Sequence, residues 1–135
     1  MHTVAPTGNE VIQALKRRYP AYTTARARGD NDKGVSIRHP DVPSSPRDRL
    51  VCHIHVDEIT DVVTGFYFAG RKDDRVGAER TAGSLLPKMD WKLDPKRGGI
   101  EDSGYPTANF IATVTLDEIL LLVERARTDH PARSV

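Results

Sequence analysis

Two histidines and an aspartate alternate along one stretch of the chain, at positions His53, His55 and Asp57. In an extended strand, side chains at alternate positions project from the same face at intervals of about 6 to 7 Å. Two imidazoles and a carboxylate can form the ligand set of a catalytic zinc or a non-haem iron. The pattern therefore offers a metal-dependent hydrolase or oxygenase as one hypothesis. The other interpretation is the solvated side of a one-sided sheet, and we expect no metal, since no further histidine stands at a spacing that completes the set.

A second group combines basic and aromatic residues near the N-terminus. Its members are Lys16, Arg17, Arg18, Tyr22, Arg26 and Arg28. Cations interleaved with aromatic rings suit the neutralisation of phosphates and the stacking of bases. Cations in the last turn of a helix also stabilise its dipole, so the same residues equally describe a solvated helix end. A nucleic-acid contact is therefore an alternative function for this segment.

Two further segments carry side chains that suit a partner surface. One is a turn of mixed charge with Arg71, Lys72 and Arg75, and the other is a predicted long loop over 90–108 that contains Trp91. Binding residues concentrate on loops that a rigid scaffold holds in place, so both segments are candidate contacts. The alternatives are a self-neutralising exposed turn and a tryptophan that anchors its loop to the core.

Several familiar catalytic motifs do not occur. The sequence contains no G-x-x-x-x-G-K-[ST], G-x-G-x-x-G, H-E-x-x-H or G-x-S-x-G pattern, and we expect no cofactor. Cys52 is the only cysteine, so an internal disulfide is excluded. It lies on the apolar side of its predicted strand, which favours a buried hydrophobic role over a nucleophilic one.

Length and charge limit the number of domains and the classes of partner. The chain has 135 residues, 38% of them hydrophobic and 29% charged, with a formal net charge of +1. We expect a single domain over 1–135 with mobile ends at 1–6 and 129–135. The charge balance excludes a partner that is selected by strong overall charge. No apolar run is long enough for a membrane span and the start lacks a signal pattern, so we expect a cytoplasmic protein without membrane contact.

The elements that must position these residues have clear local signals. Thr7 and Glu10 form a capping box that begins a helix, which Pro20 ends, and Thr115 begins a second capped helix near the C-terminus. Between them, alternating apolar residues predict strands over 35–38, 50–57, 62–69 and 110–114, and weaker helical spacing runs from 78 to 89. The pattern predicts one α+β domain, with a mostly antiparallel sheet of about four strands and an N-terminal and a C-terminal helix packed on one face.

We interpret the chain as a small non-enzymatic binding protein that acts through a macromolecular contact. The excess of Arg over Lys is typical of a bacterial or phage genome of high GC content. Another protein is the partner that we expect first, with nucleic acid as the alternative. The aromatic strand Phe66-Tyr67-Phe68 of a one-sided sheet leaves either an edge or an apolar patch for a second copy, so we also expect a homodimer.

Overall fold

A six-stranded antiparallel sheet forms the centre of the structure. The computed structural model describes residues 5–27, 34–40, 50–68, 74–93, 96–97, 100–101 and 106–129. The strands of the sheet follow the order β1-β2-β3-β4-β8-β5, and β6 and β7 form a separate pair. Their bounds are β1 Thr23–Ala27, β2 Gly34–Arg38, β3 Leu50–Val56, β4 Val63–Phe68, β5 Met89–Leu93, β6 Lys96–Arg97, β7 Ile100–Glu101 and β8 Pro106–Phe110.

Both predicted capping boxes are present. Helix α1, Gly8–Arg18, begins after Thr7, whose hydroxyl accepts from the Glu10 N–H while the Glu10 carboxylate accepts from the Thr7 N–H. The same reciprocal bonds between Thr115 and Glu118 begin helix α3, Leu116–Thr128. These contacts satisfy backbone donors that a helix leaves open in its first turn.

The apolar stripe of α3 closes the core. This helix packs against β3 and also contacts α1 and the short helix α2, Arg75–Ala82, while α1 packs on β1 and β2. Ile119, Leu120 and Val123 of α3 are buried in one cluster with Cys52 and Ile54 of β3. The predicted α+β class is therefore confirmed.

The two faces of the sheet carry different side chains. On one face, Val35, Ile54 and Phe66 are neighbours across β2, β3 and β4 and belong to the core. On the other face, Ser36 lies beside His53, which lies beside Tyr67. We call the second face the histidine face.

The sheet has more strands than the sequence predicted. The region 90–108, predicted as a long loop, holds the end of β5 and the start of β8, because Met89 and Trp91 are buried on one side of β5 whereas Asp90 is exposed. The predicted strand over 110–114 is wrong: β8 ends at Phe110, and the segment after it leads into the N-cap of α3. Strand β1 was missed because its small and polar residues show no apolar alternation.

Hydrogen bonds attach both ends of the described chain to the domain. The carbonyl of Pro6 accepts from the Val63 N–H at 2.9 Å, and Thr7 forms an isolated β-bridge with Val62. At the other end, the Asp129 carboxylate accepts from the Thr81 hydroxyl at 2.5 Å. Of these residues, Pro6 and Asp129 lie in the segments predicted to be mobile ends.

Candidate interaction surface

Strand β1 is one edge of the six-stranded sheet. Its five residues pair with β2 without a register break, from Thr23 opposite Arg38 to Ala27 opposite Gly34. Within the described ranges, no strand pairs with its outer side. On the histidine face, β1 presents two small exposed residues, Thr23 and Ala25. Among the described residues, neither side chain is large enough to obstruct an approaching backbone.

The one charged side chain of β1, Arg26, is held against the other face. Its guanidinium donates to both carboxylate oxygens of Asp61, at 2.6 and 2.7 Å. Asp61 also accepts at that carboxylate from the Asn9 N–H at 3.1 Å, and its carbonyl accepts from the Gly8 N–H at 2.7 Å. The hydrogen bond from Arg26 holds the pKa of Asp61 below its ordinary value. Asp61 thus joins β1, the start of α1 and the β3–β4 turn.

The structure separates the predicted basic residues into two places. Lys16, Arg17 and Arg18 are all exposed in the last turn of α1, and we call these three the basic cluster. Arg26 lies at the opposite end of the helix, next to Gly8. At 1.5 Å per residue, Gly8 and Lys16 are about 12 Å apart along the helix axis. The predicted group is therefore divided between the two ends of α1, because β1 runs back along α1 toward its N-terminus.

The ring of Tyr22 packs within the domain. It contacts the rings of Tyr19 and His39, with centroids at 5.5 and 5.3 Å, and is half-buried. The Tyr19 hydroxyl donates a hydrogen bond to the Glu124 carboxylate, which also forms a salt bridge with Arg127 at 2.5 Å. Burial and the hydrogen bond to Glu124 raise the pKa of Tyr19. This network connects the end of α1 to α3, and it uses the tyrosine rings for packing rather than for display.

The two histidines of β3 belong to a buried polar group on the histidine face. The His53 side chain is only 2% exposed, and its Nδ1 is 2.9 Å from the Ser36 hydroxyl oxygen. Its ring stacks on Tyr67 with centroids at 5.4 Å, and the half-buried His55 contacts both rings. The interpretation of His53 as a solvated residue is therefore wrong, since its side chain is almost fully buried.

Asp57 does not join the two histidines. Strand β3 ends at Val56 after a register shift, and the exposed Asp57 carboxylate accepts from the backbone N–H groups of Ile59 and Thr60, both at 2.9 Å. These backbone donors, Thr60 first, lower the pKa of Asp57. Among the described residues, no group of three His, Cys, Asp or Glu side chains comes together to hold a metal. The ligand set His53, His55 and Asp57 is therefore not assembled, because turn formation takes the carboxylate away.

The remaining predicted contact residues occupy different environments. Arg75, in the first turn of α2, donates to Glu79 at 2.9 Å in an exposed pair. Trp91 is 8% exposed and contacts Phe66 and Phe68 with its ring, so its assignment to a recognition loop is wrong. The predicted contacts Arg28, Arg71 and Lys72 lie outside the described residues.

Cys52 is buried on the core face of β3, as its position in the alternating pattern predicted. Burial raises the pKa of its thiol to about 12. At neutral pH the sulfur is therefore protonated, which removes its nucleophilic form.

Two further findings concern the chain as a whole. In the part that the structure describes, no helix has both the length and the apolar character needed to cross a membrane. Comparison with known proteins finds no matching family model, no matching curated protein and no matching solved structure.

The sequence reasoning missed the two features that define this surface, the open edge β1 and the pairing of Arg26 with Asp61. A weak signal for the edge was available, because Thr residues favour extended backbone and turn-forming residues follow from Gly29. No local signal connects Arg26 with a residue 35 positions later.

Proposed function

We propose that this chain is a non-enzymatic protein-binding domain whose partner adds an extended segment to the outer side of β1. The observation that carries the proposal is the open, regular edge, whose only charged side chain, Arg26, is held by Asp61. Strand addition uses the main-chain N–H and C=O groups that an edge presents at alternate residues. The fold thus supplies the binding groups from its backbone.

The side chains of β1 favour such an addition. Proteins often protect a sheet edge with a charge, a proline or a bulge. Thr23 and Ala25 provide none of these, and the β1–β2 pairing has no bulge. A partner strand would lie about 4.8 Å from β1, a distance that small side chains allow. The other edge, β5, carries the large side chains of Met89 and Trp91, so we assign the contact to β1.

Nucleic-acid binding is the second candidate, and the exposed basic cluster favours it. Phosphate binding gains affinity from each additional cation along the backbone. Arg26 is distant and already paired, and the Tyr22 ring packs against two neighbours. A strand partner therefore accounts for more of the observed geometry than a nucleic acid does.

Peptide selection combined with amide hydrogen exchange tests the proposal. Random peptides of roughly ten residues, the upper end of ordinary strand lengths, would be selected on the immobilised domain. In the free protein, alternate amides of β1 should exchange fast because they point away from β2, and a bound peptide should protect them. Amides of the inner strand β4 serve as the internal control and should stay protected in both states. A selection without binders, or binders that leave the fast β1 amides unprotected, would contradict the proposal.

A further inference from the structure

The basic cluster stands where β1 begins. The Tyr22 N–H donates to the Tyr19 carbonyl at 3.0 Å, and this tight turn connects the last turn of α1 to Thr23. A strand added outside β1 would pass this turn at its Thr23 end. The cluster is therefore placed to contact whatever continues from that end of the added strand.

The cluster also has charge available for a partner. Its three side chains are exposed and form none of the salt bridges found among the described residues. Arg18 also acts on the Glu124 carboxylate, whose pKa it helps to lower, so Lys16 and Arg17 supply most of the charge available to a partner. The negative end of the α1 dipole offsets only about half of one charge. The turn therefore retains a positive field that favours carboxylates.

We infer that the partner segment is acidic at its C-terminal end, where its carboxylates meet Lys16, Arg17 and Arg18. This inference rests on the proposed strand addition. The direction follows from pairing, since every strand pair of the six-stranded sheet is antiparallel and antiparallel pairs are slightly more stable. A segment antiparallel to β1 has its C-terminal end beside Thr23. The main-chain groups hold the segment in the antiparallel direction, and the charges at its C-terminal end add to its affinity.

A second copy of this chain fits the surface less well. If β1 paired with β1 of another copy around a two-fold axis, the Thr23 end of one strand would meet the Ala27 end of the other. Each basic cluster would then approach the Arg26 end, where the nearby Asp61 carboxylate is already occupied by a guanidinium. An acidic segment of another protein instead supplies the opposite charge directly.

Four fluorescent probes distinguish these occupants. Three are peptides with acetylated and amidated ends and the same core of alternating Thr and Val. The first peptide has three Glu residues after the core, the second has three Glu residues before it, and the third has three Lys residues after it. The fourth is a single-stranded oligo-dT. The first peptide should bind roughly tenfold more tightly than the second, because each exposed ion pair contributes a few tenths of a kcal/mol, and the advantage should shrink at high salt.

A matched pair of charge reversals locates the contact. Arg17→Glu changes an exposed cation in the last turn of α1, and Arg80→Glu makes the same change in the last turn of α2. We expect Arg17→Glu to weaken binding of the first peptide by roughly five- to tenfold and Arg80→Glu to leave it within about twofold. Equal effects of the two reversals would overturn the inference.

The remaining outcomes separate the inference from the function beneath it. If all three peptides protect the β1 amides equally, the acidic partner is wrong and strand addition stands. If only oligo-dT binds and the β1 amides still exchange fast, the acidic partner and strand addition are both wrong. Nucleic-acid binding then replaces them. If the β1 amides of the free protein become protected as its concentration rises, with a dimer in sedimentation equilibrium, a second copy occupies the edge and the acidic segment is wrong.

Discussion

Asp61 allows the charge and the backbone contributions at one residue to be measured separately. Its carboxylate holds Arg26 by two hydrogen bonds and accepts a third from the Asn9 N–H in the first turn of α1. Its backbone has φ of 63°, in the left-handed region that non-glycine residues seldom adopt. Asn tolerates this conformation as well as Asp does, so Asp61→Asn removes the charge and leaves the backbone unchanged.

The expected cost of Asp61→Asn is about 1 kcal/mol at neutral pH. The Arg26 and Asp61 side chains are 36% and 32% exposed, so solvent screening limits the pair to the upper part of the surface range, about 0.5 to 1 kcal/mol. A carboxylate at a helix N-terminus adds a few tenths of a kcal/mol. Asp61→Ala should lose both terms and also the left-handed tolerance, which is about 1 kcal/mol more. Asp61→Gly should consequently be more stable than Asp61→Ala, the reverse of the order at ordinary positions.

Urea unfolding followed by circular dichroism measures these differences, and its pH dependence tests the charge. Arg26 lowers the pKa of Asp61 in the folded protein, so the stabilisation is complete above the ordinary value of about 4 and disappears as the pH falls through the lowered one. The difference in unfolding free energy between the wild type and Asp61→Asn should therefore disappear as the pH falls below about 4. The other carboxylates are common to both proteins and cancel in the difference. A gap that widens in acid, or Asp61→Ala more stable than Asp61→Gly, would refute this reasoning.

Three further changes test the core and its edges. Leu120→Ala should lower the unfolding free energy by about 2 to 5 kcal/mol, because Leu120 is 9% exposed on the core side of α3. Leu121 is 40% exposed, so Leu121→Ala should cost less than about 1 kcal/mol. Equal losses in urea titrations would contradict the packing of α3. Gly34→Ala should lower the unfolding free energy by about 1 to 3 kcal/mol, since the added carbon would stand 2.1 Å from the Ile54 carbonyl oxygen. An unchanged melting temperature would disprove that contact. Cys52 should not react with a thiol reagent in the native protein, because burial raises the pKa of its thiol to about 12. It should react once urea unfolds the protein. Rapid labelling of the native protein would show that the thiol is accessible.

Sequence patterns worked where the signal and its consequence lie within a few residues. Thr7 with Glu10 and Thr115 with Glu118 are three positions apart, and both pairs cap helices as predicted. The alternation around Cys52 likewise identified the core side of β3. These assignments depend on hydrogen bonds within one turn or on the two-residue period of a strand, which neighbouring residues alone determine.

Patterns failed where a distant contact decides the environment of a side chain. The alternating pattern placed His53 on the solvated side, yet its side chain is 2% exposed and contacts Ser36 and Tyr67 from the neighbouring strands. Trp91 lies between a proline and a glycine-rich stretch, but its segment pairs with β8 as strand β5, and the Trp91 side chain is buried in the core. Burial of this kind depends on which strands become neighbours, and local residue types do not specify that.

The sequence by itself determined the class of the domain, its two capped helices and its lack of an internal disulfide, because these follow from composition and from contacts within a few residues. Only the tertiary structure decided which of the predicted contact residues are exposed. It placed Arg26 beside Asp61, left Lys16 to Arg18 exposed at the other end of α1, and put β1 at the edge of the sheet. Strand order and the antiparallel return of β1 along α1 bring together residues that are tens of positions apart, and no local periodicity encodes that geometry.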